Sequence, residues 1–220
     1  VFHESGTLVS GIIGGLYSST ATISVLARKS RKASEQEATD YVAAMLLAVS
    51  MMFLRFMILI LIFSREIFLS IYPYLLTMAV VAAIVAWFIH SRQKRPEDQP
   101  AETEEDDSSN PLEFKVALIF AVLFVIFTFL THYTLVYAGT GGLNLLSFVS
   151  GFSDITPFIL NLLQNTGSVA ALIITACSMQ AIISNIMVNM FYALFFAGKG
   201  SKLRPWILGG FGVVITCNLV

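Results

Sequence analysis

The sequence predicts an all-α protein, a polytopic membrane helical bundle of about seven membrane segments with broken helices and an internal repeat. Three observations predict it. First, 56% of the 220 residues are hydrophobic and only 12% are charged, with a mean hydropathy of +0.79; soluble domains run nearer about 25% charged. Second, the apolar residues fall into runs of roughly 20, the length a helix needs to cross hydrocarbon. Third, the charges are gathered into short clusters between those runs. The net charge of −1 carries no nucleic-acid footprint. The two cysteines, Cys177 and Cys217, sit inside apolar runs and read as packing residues, with no disulfide or metal framework. The opening residues lack a basic n-region and an initiator Met, so no cleavable signal is read there and the chain is taken as a fragment of something longer.

The first run, Thr7–Ala27, is the least apolar and carries Gly11, Gly14, Gly15, Ser18, Ser19, Thr20, Thr22 and Ser24. Small residues let membrane helices approach closely, and their hydroxyls bond across helices. The run therefore reads as tightly packed or as a broken, cavity-lining helix. Arg28, Lys29, Arg31 and Lys32 follow, which marks a cytoplasmic end. Tyr41–Phe63 is a strong span with one basic residue inside it, Arg55, at a depth of roughly 13 Å along the helix. Intramembrane charges pair or face water, so Arg55 is expected to face inward and to pair with a buried acid. Ile67–His90 spans back, with Pro73 near its start and His90 at the interface.

Residues 91–113 are basic first, then acidic, and hold three prolines; they read as a disordered cytoplasmic linker, with the acidic run as a solvated tail rather than a cation site. They divide the chain into a first membrane half, 1–90, and a second, 114–220. Phe114–Ala138 begins the second half, with His132 near its end as an interfacial histidine. Val169–Ala197 follows later, a long helix with Asn185 and Asn189 on one face. Trp206–Val220 is a short last run.

Between those two helices lies the most informative stretch, Gly139–Gly167, with Gly151, Ser153, Asp154, Thr156 and Pro157 at its middle. Asp154 is the one acid deep inside apolar sequence, and an intramembrane carboxylate is a functional-site hypothesis by default. Pro157 removes a backbone donor and Gly151 loosens the helix, so an interrupted helix is expected. Breaks of this kind survive only where they are buried in protein or line a wet cavity. Gly15-Leu-Tyr-Ser-Ser-Thr20 and Gly151-Phe-Ser-Asp-Ile-Thr156 match in register, which suggests a repeat. Read as a full crossing, the Asp154 stretch makes the repeats parallel and puts Lys199, Lys202 and Arg204 outside, against the charge rule. Read as a re-entrant loop, it puts them inside.

The segments GIIGGLYSSTATISVLARKSRK, SGFSDITPFILNLLQ and NPLEFKVALIFAVLF resemble elements of the uncharacterised membrane domain that lies C-terminal to the MgtC/SapB-type domain in long MgtC-like bacterial proteins. The resemblance spans nearly the whole chain. It implies a bacterial inner-membrane, multi-pass protein with a transport-related role and no settled substrate. Where that family carries a second aspartate in its Asp-x-Asp element, this chain has Thr156, and Pro157 intrudes.

The expected function is an integral membrane transporter or permease for a small ion or solute. Ser18, Ser19, Thr20, Thr22, Ser153, Asp154 and Thr156 would line a midplane site, with Arg55 as counter-ion and Asn185 and Asn189 as polar partners. The alternative is a regulatory or assembly protein that binds other membrane proteins through its small-residue faces. Neither a Ser–His or Asp–Asp pair nor a metal-ligand motif stands at convincing positions, so no enzyme and no cofactor is expected. The expected partners are the lipid bilayer, a small ion or solute, and a second copy or another membrane protein.

Overall fold

A computed structural model describes the backbone of residues 2–31, 33, 35–92, 111–165, 169–197 and 203–219. All the regular structure in it is helical: α1 (Phe2–Lys29), α2 (Glu35–Phe63), α3 (Arg65–Ser91), α4 (Pro111–Ser150), α5 (Ile155–Gln164), α6 (Ala171–Ala197) and α7 (Arg204–Leu219). Among the described residues, Gly6–Lys29, Thr39–Phe63, Arg65–Ser91 and Ala171–Ala197 have the length and apolarity of membrane spans. The linker expected at 91–113 lies largely outside the described residues, as do Lys199 and Lys202.

Length misleads for the first of those four. Ser18 takes extended backbone, φ −155° and ψ 108°, in the middle of α1. Gly14 and Thr22 then come face to face, so that a methyl on Gly14 would strike the Thr22 side chain. Eight residues along a straight helix would separate them by about 12 Å. The chain therefore doubles back at Ser18, and α1 is a hairpin of two short helical arms. Methyls on Gly11 and Gly15 would strike the backbone of Ala44 and Ala48 respectively. Both partners advance together, so the first arm runs parallel to α2 and the second arm returns antiparallel to it. Only glycine permits this approach, which explains the small-residue stripe at the start of the chain.

The second half repeats the manoeuvre. Gly139, at φ +58°, turns α4 back on itself, bringing Gly142 against Thr134 and Ala138. The left-handed conformation there favours glycine. The arm that follows, Gly141–Ser150, advances alongside α6: Cys177 Sγ donates to Asn144 Oδ1 at 3.5 Å and Ser184 Oγ donates to the Phe148 carbonyl at 2.7 Å. At Gly151–Asp154 the chain reverses again into α5, whose Phe158 and Asn161 pack on Phe127 and Thr128 of the long arm of α4. The Asp154 stretch, for which the sequence left a full crossing and a re-entrant loop both open, is thus a folded hairpin. Pro157 fits because it stands in the first turn of α5, where backbone N–H groups have no helical partner. Pro73, expected near a tolerant helix start, stands instead in the third turn of α3.

The remaining contacts fix the directions. His90 Nδ1 and Asp40 Oδ1 pair at 2.8 Å, and Ser50 Oγ donates to the Ala79 carbonyl at 2.8 Å, so α3 returns antiparallel to α2. Gly210 of α7 meets Leu46 and Ile89, while Tyr74 Oη donates to the Asn218 carbonyl at 2.7 Å, so α7 also runs antiparallel to α3. The Arg28 guanidinium lies 4.3 Å from the Phe196 ring centroid, placing the α2 start beside the α6 end. α2 and α6 therefore point in opposite directions. The two hairpins enter the bundle from opposite ends, and Arg28, Lys29, Arg31, Arg92 and Arg204 all gather at one of those ends. Phe53, Phe56, Phe158 and Phe211 fill the interior, while Ile62, Trp87, Leu172 and Phe195 point outward with two thirds or more of their surface exposed. Such large apolar exposure fits a lipid-facing surface.

The glycine contacts yield a measurable contrast. Gly15→Ala is expected to cost about 1–3 kcal/mol, because its methyl must displace the α2 backbone. Gly141→Ala, which meets nothing, should stay within about 0.5 kcal/mol of the parent. Thermal unfolding of the two detergent-purified variants measures the difference.

Candidate functional site

A helix that stops at depth leaves backbone groups without partners, and each must find one. At the tip of the α1 hairpin the exposed groups are the last carbonyls of the first arm. Arg55 of α2 supplies the donor: its Nη1 donates to the Tyr17 carbonyl at 2.6 Å and lies 3.4 Å from that of Leu16. The second arm starts from Ser18, whose Oγ accepts from the Ala21 N–H at 3.4 Å. At the tip of the α4–α5 hairpin, Asn185 Nδ2 donates to the carbonyls of Gly151 (3.1 Å) and Ser153 (3.3 Å). Asp154 caps α5, its Oδ1 accepting from the Thr156 N–H at 2.9 Å.

The two tips touch through one side chain. Arg55 Nη2 donates to Thr156 Oγ1 at 3.0 Å, while its Nη1 holds Tyr17. A single guanidinium thus bridges two hairpins that come from opposite ends of the bundle. Both tips lie near the middle of the long helices beside them: Arg55 stands well inside Thr39–Phe63, and Asn185 is central in Ala171–Ala197.

The expected ion pair between Arg55 and Asp154 does not form as a direct contact. Among the described residues the ion pair within 4.0 Å is His90–Asp40. Asp154 acts on Arg55 through space, and Thr156 stands between them, bonded to the guanidinium by its hydroxyl and to the carboxylate by its amide. The reason is local. The guanidinium is drawn to the open carbonyls of the α1 tip, and the carboxylate is held by the helix it caps.

The other predicted residues divide. Asn185 and Asn189 share one face of α6, and Asn189 Nδ2 donates to Asn185 Oδ1 at 3.1 Å. Asn189 is fully buried, and its own Oδ1 has no partner among the described residues; the same holds for Arg55 Nε. Ser153 Oγ donates to the Ser150 carbonyl. Ser19 is buried. Thr22 Oγ1 donates to the Ser18 carbonyl within the second arm, and its side chain packs against Gly14 of the first arm rather than facing the other tip. Thr20 offers its carbonyl to Ser24 Oγ. Sequence reasoning passed over Ser184, which secures the Phe148 carbonyl and packs on Gly151; its place one residue before Asn185 was the available signal. His132 is exposed and lies away from the tips, stacked edge-on with Tyr133. No group of three or more His, Cys, Asp or Glu stands together among the described residues.

Long apolar helices around a polar centre define a helical membrane protein. The chain belongs to the family described as "Domain of unknown function (DUF4010)", whose model matches residues 1–197. It is similar to an uncharacterized protein of Aquifex aeolicus (strain VF5), 24% identical over 225 residues that cover 100% of this chain and 95% of that protein. No solved structure matches it.

Asn185 is the test of how the second tip is held. Asn185→Ala leaves the carbonyls of Gly151 and Ser153 without their side-chain donor, at an expected cost of about 1–3 kcal/mol. Ser70→Ala, which removes an exposed bond within its own helix, should change little. Chemical or thermal unfolding of both variants in one detergent makes the comparison.

Proposed function

We propose that this protein is an integral membrane transporter or permease for a small ion or solute, whose site lies where the two hairpin tips meet. The observation that carries the reading is Arg55 bridging Tyr17 of one tip and Thr156 of the other. A lone cation, a carboxylate and interrupted helices gathered at the middle of long apolar helices are an expensive combination in a membrane, and transport sites are where such combinations recur. On this reading α2, α3, the long arm of α4, α6 and α7 cross the membrane and the two hairpins are re-entrant, giving seven membrane segments in the bacterial inner membrane. Each hairpin turns back at a tip that lies alongside the interior of its neighbouring long helix, at Arg55 and at Asn185, so neither crosses.

The internal repeat is inverted on this reading. The shift that carries Gly15 onto Gly151 also carries Ser18 onto Asp154, each a cap at its tip, and Ala48 onto Ser184, each the residue its glycine packs against. It carries the start of α2 onto the start of α6. Hairpins entering from opposite faces then allow the centre to open to either side in turn, the usual arrangement of inverted-repeat transporters. The basic residues at one end follow the positive-inside rule and make that end cytoplasmic. The protein moves its substrate and transforms nothing. The motif-level kinship with MgtC-like proteins belongs to the same proposal.

Two measurements test it. In a cysteine-free background, Arg31→Cys and Arg204→Cys should label from the same side of the membrane and Ser64→Cys from the other; a crossing Asp154 stretch would put Arg204 with Ser64. In liposomes, flux of small cations and anions should be driven by the wild type and reduced by Asp154→Asn. Equal flux for the two would remove Asp154 from the mechanism.

A further inference from the structure

Arg55 is fixed by the protein along only part of its donor surface. A guanidinium carries five N–H donors in a rigid plane. Nη1 serves the carbonyls of the α1 tip, and Nη2 gives one proton to Thr156 Oγ1. Nε is buried and has no partner among the described residues. By the covalent geometry of the group, the Nε–H runs parallel to an Nη2–H, and this edge is the one that receives two oxygens of an oxyanion side by side. The groups that hold Nη1 and Nη2 keep the plane from turning, so the edge is presented in a set orientation.

The neighbouring oxygens argue against a cation cage. A hard cation needs six or more oxygen ligands, carbonyls and carboxylates above all. Here the carbonyls of Tyr17, Phe148, Gly151 and Ser153 are already bound by protein donors, and Asp154 Oδ1 is occupied as a helix cap. What remains without a partner at this centre, among the described residues, is one acceptor, Asn189 Oδ1, too few for such a cage, and the Nε donor of a permanent positive charge.

We infer that the site takes a small oxyanion, bound through two oxygens on the Nε/Nη2 edge of Arg55, with Asp154 as the internal counter-charge that the anion competes against. The inference rests on the transport reading and names its substrate class. Carboxylate, phosphate and sulfate share the paired-oxygen chemistry, so the test uses all three. The full chain, purified in detergent, is titrated with sodium acetate, sodium phosphate and sodium sulfate, with sodium and potassium chloride as controls, and its unfolding temperature is followed; flux of the same ions is then measured in liposomes.

At least one oxyanion should raise the unfolding temperature saturably and be carried. Arg55→Lys keeps the charge but loses the fork, and should weaken apparent affinity by roughly tenfold or more. Should that variant not fold, Thr156→Ala decides: it frees the Nη2 proton that orients the plane, leaves the tie to Tyr17, and should weaken the same affinity several-fold. Failure of all three oxyanions to shift unfolding, a shift that follows the cation, or undiminished affinity in whichever variants fold would overturn the inference. Cation flux that depends on Asp154, without an oxyanion effect, overturns the substrate class and leaves transport standing. Absence of flux for every ion removes the transport reading, and this inference with it.

Discussion

Backbone hydrogen bonding at depth is the constraint on which this architecture depends. Both hairpins end their first arms in apolar surroundings, where an unpaired carbonyl has no water to turn to. Each tip solves the problem with side chains from the long helix beside it. Arg55 on α2 holds the carbonyl of Tyr17; Ser184 and Asn185 on α6 hold those of Phe148, Gly151 and Ser153. The polar residues of the two long helices are therefore structural donors first. Whatever chemistry the centre performs is built from the capacity they have left over, at Arg55 Nε and Asn189 Oδ1.

Close packing makes those bonds reachable. Gly15 lies on Ala48 and Gly151 on Ser184, so each tip is pressed against the helix that supplies its donors. A larger residue at either glycine would separate the two surfaces and pull the donors out of range. The small-residue stripe of the first run and the polar stripe of α6 are two requirements of one arrangement, proximity and satisfaction.

Much of this was legible in the chain. Apolar runs located α2, α3 and α6 to within a few residues, and the polar interruption around Asp154 located the second tip. The doubling back was not legible. Helical periodicity continues through Ser18 and Gly139, because the arms on either side are both helical and the reversal takes one residue each time. Hydropathy integrates over a window and is blind to direction, so Gly6–Lys29 scores as a span although it is folded in half. The pairing of Arg55 with Asp154 was expected because opposite charges attract. It gave way to Thr156 because the carbonyls of the α1 tip and the amides of α5 claim the two charged groups first. Pro157 reads as a disruption in the sequence and becomes a helix start in the fold, since the first turn of a helix has no use for the N–H that proline lacks.

The shortness of the hairpin arms has a consequence for biogenesis. A segment of this length, holding serines, threonines and an aspartate, gains too little from lipid to enter the bilayer by itself. It can settle only against a surface already there. For the second hairpin that surface is partly in place, since α5 packs on the long arm of α4 made before it. The donors that hold both tips, however, sit on helices made afterwards, α2 for the first and α6 for the second. Each tip must therefore wait for the ribosome to finish the element that supplies its donors, so completion of the hairpins runs out of step with synthesis.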